Sequence, residues 1–465
     1  MSIVKKLLST LLVFAMLVVA CITTGCTKKD EPVVTTPLLR IGILSDTHIN
    51  ADTRYSMYDR LEKALMFYKQ KGVDGILITG DLQDNRTSAA EAMRAMEEFQ
   101  DIWLRVFPNN VNDLTGEYVE PMFIYGNHDK SLVEAEYWFD GIGSEYEDAW
   151  IKEIKGYQFV GVHYTKENGT LVQKYLSQAQ EASTDKPFFF AQHVPVADTI
   201  VGGYESYEGN TIPMHDFLKR SNNCVMFTGH THVPLTDERA IWQSNSKKAA
   251  QFTVVTCGTL HYADLMDFCD LEINGAKHQT QQGMYMVVDG SQVTLERYSF
   301  TDMEITYDDT GASLDMSAVK QIGDPWIFDA MQKKDRPYDY EDRFDAAYQP
   351  VFAADAALEI AEQAADSVAL TIPAATVDAP EGFSDLVQSY YIEVVNTATG
   401  ETVTIEEIAA PYHIDAEPEK LNQPLTIRLT GLTPDTEYTI YVYARECYQK
   451  ASEPLIVQIL TLPEG

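Results

Sequence analysis

The chain has 465 residues, too long for one ordinary domain, and 45% of them are hydrophobic, the share of a globular protein. Its formal net charge of −35 is spread along the sequence without an acidic tail. That field excludes a nucleic-acid groove, which needs a basic footprint, but admits a small phosphorylated substrate, because bound cations reverse the local potential.

Residues 1–25 read as a lipoprotein-type signal peptide and the start of a tether. Lys5 and Lys6 precede an apolar run from Leu7 to Ala20, too short and wrongly flanked for a membrane span. A small residue directly before cysteine suits lipoprotein cleavage, and both Cys21 and Cys26 qualify; Val18 favours Cys21. The expectation is export and a lipid anchor on one of these cysteines, at the outer face of a bacterial cell membrane. A soluble secreted protein is the alternative. Cys224, Cys257, Cys269 and Cys447 are too scattered for a disulfide framework, and Cys224, Cys257 and Cys447 read as buried structural thiols.

From Leu38 onward strands and helices alternate. "LLRIGILSD" is a continuous aliphatic run of the kind that suits a strand covered on both faces. Tyr55 to Gln70 has helical spacing and ends before Gly72. "VDGILITGD" repeats the strand pattern, and a helix capped by Ser88 runs to Phe107. "PMFIYGNHD", "YQFVGVHY", "PFFFAQHV" and "CVMFTGHT" are further strands, with a helix over Leu171 to Glu181. "QFTVVTCG", "QGMYMVVDG" and "QVTLERYSF" lie close together and suggest an antiparallel continuation. The class is α/β around a central sheet region.

Where the strands end is the informative feature. Asp46 and His48 follow the first, Asp81 the second, Asn127 and His128 the third, and His193, then His230 and His232, the later ones. Ligand sites in α/β sheets form beyond the carboxyl ends of strands, where loops converge. One histidine after a strand is unremarkable; five strand ends of this composition are not. In "DTH" and "HTH" an extended backbone would point both ligands to one side. Oxygen and imidazole donors without thiolates suit manganese, iron or zinc, and there are more of them than one tetrahedral ion needs.

The ordered series DxH, GDxxD, GNHD, H and GHxH resembles the calcineurin-like metallophosphoesterase superfamily. The resemblance implies a four-layer α/β/β/α sandwich over residues 38–345 with two metal ions at one edge of the packed sheets. It assigns Asp46, His48 and His232 to the first ion and Asn127, His193 and His230 to the second, with Asp81 bridging. It also implies cleavage of a small phosphoester by a metal-bridging hydroxide that attacks phosphorus, so no protein nucleophile is required. His128 would then contact the phosphate and protonate the leaving oxygen. Asp84 matches a carboxylate that orients this histidine in some members; a solvated turn residue is the other reading. His163, His215 and His261 have no motif partner and read as structural or pocket-wall residues. The glycine- and tyrosine-rich stretch Val201 to Gly209 reads as a loop near the site.

After about residue 345 the pattern changes to short alternating strands separated by turns such as "NTATG" and "LTPDTEY", the mark of a β-sandwich. "GLTPDTEYTIYVYA" resembles the tyrosine-corner region of fibronectin type III domains, with Tyr438 at the corner, and the domain spans residues 352–465. A spacer, or a docking module for a cell-surface partner, is the expected role. Two functions from different classes follow for the whole chain. One is an exported metallophosphoesterase, acting on monoesters or on diesters, cyclic nucleotides included. The other is a surface binding or scaffold protein whose phosphoesterase domain is inactive.

Overall fold

The computed structural model describes residues 38–464 apart from 51–55, 85–87, 130–134, 145, 165, 167–168, 197–198, 201–216, 219, 222, 245–251, 264–271, 274–275, 278–279, 309–310, 347, 379–385, 413–419 and 449. The signal segment with Cys21 and Cys26, the Val201 to Gly209 loop, His215 and Cys269 lie outside the described residues.

The first strand, β1 (Leu39–Leu44), runs parallel to β2 (Gly75–Ile78), which runs parallel to β3 (Glu120–Phe123). Helix α1 (Ser56–Lys71) links β1 to β2, and α2 (Ala89–Val106) links β2 to β3. Ser88 caps α2 by accepting the Glu91 N–H, and Gly72 closes α1 with a left-handed φ of 67°. On its other edge β1 pairs antiparallel with β10 (Gln282–Asp289), which pairs with β11 (Gln292–Ser299). The short β12 (Lys320–Gln321) and β13 (Trp326–Asp329) both add to β11 and complete a seven-stranded sheet.

A second sheet has six strands in the order β4 (Ala149–Ile154), β5 (Tyr157–Val162), β6 (Phe188–Ala191), β7 (Cys224–Thr228), β9 (Thr253–Thr256) and β8 (Ile241–Gln243). From β5 to β9 the pairing is parallel.

Strand alternation decides which side chains fill which layer. Leu39, Ile41 and Ile43 join Met284, Met286, Phe189 and Val225 in a core between the two sheets. Leu44, Ile76 and Ile78 point the other way, against Leu65 and Phe67 of α1 and Phe99 and Trp103 of α2. Helix α3 (Thr170–Ala182) covers the outer face of the second sheet with Val172, Leu176 and Ala179. Each large aliphatic buried in this way contributes about 1.5–3 kcal/mol. The result is the α/β/β/α stack. Cys224, Cys257 and Cys447 are buried, and Cys224 and Cys257 are free thiols. Among the described residues no helix is long and apolar enough to cross a membrane.

The C-terminal region is all β. A three-stranded sheet, β14 (Glu359–Gln363), β15 (Ser367–Ile372) and β18 (Leu425–Thr430), faces a four-stranded one. The four are β17 (Thr402–Ala409), β16 (Val387–Asn396), β19 (Glu437–Glu446) and β20 (Leu455–Leu460), in that order. Its own core contains Val368, Leu370, Ile392, Val394, Leu429, Ile440 and Val442. The buried Tyr438 hydroxyl accepts the Thr433 N–H at 3.0 Å, the bond of a tyrosine corner. Tyr438→Phe deletes this acceptor and keeps the ring. It is expected to cost about 1 kcal/mol of stability in a thermal melt and to leave metal binding unchanged.

Candidate metal centre

All the parallel strands that carry candidate ligands deliver their carboxyl ends to one edge of the stack. The loops after β1 and β2 stay laced together there: the Asp46 N–H donates to Gly80 O and the His48 N–H to Asp81 O, both at 3.0 Å. Here the extended reading of "DTH" and "HTH" is corrected. Asp46, His48, Asp81, His230 and His232 have φ of 50°, 44°, 50°, 70° and 52°, in the left-handed region. Their side chains converge because the backbone coils at each one, at roughly 1–3 kcal/mol per residue, held by the surrounding lattice of bonds.

The same crowding explains why glycines precede the ligands. A Cβ on Gly229 would lie 2.0 Å from Ser45 Oγ and 2.6 Å from Asp46 Oδ2, and one on Gly126 would lie 2.2 Å from Asp81 Oδ1.

The donors fall into overlapping groups. In the first, His232 Nε2 lies 3.1 Å from both Asp46 Oδ1 and His48 Nε2. In the second, Asn127 Oδ1 lies 2.9 Å from His193 Nε2 and 2.8 Å from His230 Nδ1. Asp81 spans both: Oδ1 is 3.3 Å from His193 Nε2, and Oδ2 is 3.7 Å from His48 Nε2. The outer ring nitrogens are fixed by backbone carbonyls. His193 Nδ1 meets Thr79 O and His232 Nδ1 meets Tyr262 O, each at 2.8 Å. A carbonyl only accepts, so both Nδ1 atoms carry a hydrogen and both Nε2 atoms face inward, where each would offer its lone pair to a cation once any proton there has left.

His128 stands beside this set. Its Nδ1 is 2.5 Å from Asp84 Oδ1, its Nε2 is 3.7 Å from Asp81 Oδ2, and its ring packs edge-on against His48 at 4.6 Å. His128, His48 and Asp81 form a third donor group, so distance alone does not separate His128 from the ligands. Asp84 is held by His128 and His48 and is not a free turn residue.

The electrostatics fit cations. Burial alone would raise the Asp46 and Asp81 carboxyls, but facing imidazoles hold Asp46 well below the usual range and Asp81 at about 2. Burial would lower His48 and His193, yet their carboxylate partners hold them up at about 10 and about 9. Protons therefore occupy positions where positive charge is required. Asp46 and His193 are 0% exposed and Asp81 and His48 1%, so water cannot supply that compensation. Carboxylate, amide and imidazole oxygens and nitrogens, buried or half-buried, are the donor chemistry of manganese, iron and zinc, and the residues fit two such ions.

Sequence reasoning missed Asp129, the last residue of "GNHD". Fully buried, it accepts the N–H groups of Gly126 at 2.8 Å, Leu82 at 3.0 Å and Gln83 at 3.1 Å. It thereby ties the loop of Asn127 to the loop of Asp81. Burial, together with the nearby Asp81 charge, pushes it up to about 7. Its place as the closing acid of "GNHD" was the available signal. His163 accepts the Tyr125 N–H at 2.8 Å and braces the end of β3, a structural role. His261 forms part of the wall, its ring 4.9 Å from that of His48.

Two outcomes follow from this geometry. Asp129→Asn replaces an acceptor oxygen with a donor against backbone N–H groups. It should weaken metal binding about 10- to 100-fold, read by metal titration. In the metal-free protein, the raised His48 and His193 contribute stability that is complete below about 6.5, the free imidazole value. That stability is lost as pH rises through about 9 to 10. The same protons must leave when a cation binds. Metal affinity should therefore climb across this window with measurable proton release, seen by calorimetry in buffers of different ionisation heat.

Residues 39–234 match the family model "Calcineurin-like phosphoesterase". No curated protein matches the chain. Among solved structures, a dimetal phosphatase from Danio rerio is 11% identical, with a TM-score of 0.38, covering 56% of this chain and 96% of that one. Purple acid phosphatase PPD1 from yellow lupin (Lupinus luteus) seeds is 14% identical, with a TM-score of 0.38, covering 57% and 52%. The fn3 domain of human collagen alpha-1(XX) chain is 14% identical, with a TM-score of 0.18, covering 24% and 85%. The domain of residues 39–234, with donor groups gathered at its strand ends, is a calcineurin-like metallophosphoesterase domain.

Proposed function

We propose that this protein is an exported hydrolase of small phosphoesters that works with two transition-metal ions, manganese, iron or zinc. The observation that carries the reading is Asp81, a buried carboxylate with one oxygen turned to each donor set. Two bound cations would neutralise phosphoryl oxygens and lower the pKa of a bound water. The chain's own residues supply the rest. Asp46, His48 and His232 would hold one ion, Asn127, His193 and His230 the other, and Asp81 would set their separation. His128 donates a proton from Nε2 to the leaving oxygen, while Asp84 fixes Nδ1–H and stabilises the charged ring.

The charge of −35 favours a small substrate over a polyanion. The basic and apolar N-terminus with Cys21 and Cys26 supports export and a lipid anchor. The C-terminal sandwich has the strand pattern and tyrosine corner of a fibronectin type III-like module.

A screen of mono-, di- and cyclic phosphoesters with each metal tests the reading. Hydrolysis of one class names the substrate type, and metal-loaded protein inert toward all three would favour the scaffold alternative. His128→Ala should reduce turnover about 10²- to 10⁴-fold and retain both ions by elemental analysis. Loss of metal in that variant would make His128 a ligand instead. Asp81→Asn should release both ions.

A further inference from the structure

A spacer domain needs no buried polar bond to the domain it spaces, yet the sandwich makes one to the loop that leaves the metal centre. Gln388, on β16, donates from Nε2 to Asp237 Oδ2 at 2.7 Å, and the two side chains are 2% and 0% exposed. Asp237 lies five residues after His232 on the same loop. Its N–H closes a turn onto Pro234 O at 3.0 Å. Its carboxylate takes Arg239 in two bonds, Nε to Oδ1 at 3.0 Å and a terminal nitrogen to Oδ2 at 2.7 Å.

The turn is pinned from the catalytic side as well. The Leu235 N–H donates to Gln282 Oε1 at 2.7 Å, and Arg297 donates to Leu235 O at 2.8 Å and to Glu238 Oε1 at 2.9 Å. Glu238 also accepts the Trp326 indole N–H at 3.0 Å. Arg297 and Trp326 belong to the first sheet and its added strand; Gln388 alone in this set comes from the sandwich.

The position of Gln388 is itself irregular. The pairing of β16 with β19 shifts between Val387 and Ser389, so Gln388 is the extra residue of a β-bulge. A bulge re-aims a side chain that would otherwise follow the strand's alternation. Here the displaced side chain is the one that reaches Asp237.

We propose that the sandwich is a positioning element of the metal centre: through Gln388 it fixes Asp237 and the turn behind "GHTH", and so holds His232 where a cation requires it. Gln388 is a positioning residue and touches neither ion nor substrate. The inference rests on the two-metal reading above, and metal binding, measured without substrate, keeps the two separable.

The test uses the full chain and Mn2+ alone. Gln388→Met keeps side-chain length and removes the bond. Calorimetric titration should then show one of two ions binding several-fold more weakly and the other unchanged, with a smaller metal-induced rise in melting temperature. Gln349→Ala, which breaks the bond from Gln349 to Ala451 O in the exposed part of the same junction, should leave both affinities as they were. Unchanged Mn2+ affinity in Gln388→Met, whatever its melting temperature, overturns the proposal. Equal weakening in Gln349→Ala overturns the route through Asp237. Should Gln388→Met fail to fold, Gln388→Asn, which keeps the amide one methylene short, gives the same readout: weakened binding of one ion supports the proposal and wild-type affinity overturns it. Wild-type protein that binds no Mn2+, Fe2+ or Zn2+ would instead sink the two-metal reading itself.

Discussion

Two carboxylates, Asp46 and Asp81, are buried together at one edge of two packed sheets, and the rest of the architecture answers to that fact. Charges withdrawn from water need opposite charge close by, or they are protonated. Around them the chain assembles imidazoles from four other loop positions, and two of these, His48 and His193, are held in the charged form as long as no cation replaces the proton. Strained backbone at five of these residues is tolerated because the loops are bonded to one another on several sides. Asp129 joins two loops, Thr79 and Tyr262 orient two rings, and glycines leave room where a Cβ would collide.

Much of this was legible in the sequence because two simple signals coincide. Apolar runs mark strands, and the polar residue directly after each run marks the edge where ligands meet. The four-layer stack follows from the same runs, since Leu39, Ile41 and Ile43 must be covered on one face and Gly42, against the Tyr68 ring, on the other. The local conformation of "DTH" and "HTH" was misread for a physical reason. A one-residue spacing puts two side chains on one side of an extended strand, but here the strand has already ended and the backbone coils left-handed. Asp129 carried no role because its partners are backbone N–H groups of another loop, which leave no trace in side-chain spacing.

The sandwich illustrates a different limit. Its strands, turns and tyrosine corner are written locally in alternation and in "LTPDTEY". Its bond to the catalytic domain depends on a single out-of-register residue in β16, and register is a property of two strands together. A glutamine in a strand looks the same whether it faces water or an aspartate.

The pairing of β1 with β10 sets a condition on biogenesis. Leu39 lies opposite Val288 and Ile43 opposite Met284, so the central strand of the first sheet waits for a partner more than two hundred residues downstream. Loop closure of that length is slow, and an emerging chain leaves one edge of β1 unpaired until β10 is made. Synthesis therefore passes through a long interval in which that strand edge has no partner. An open edge on an aliphatic strand invites pairing with the wrong partner, so the distance between β1 and β10 along the chain is also a measure of the exposure to misassembly.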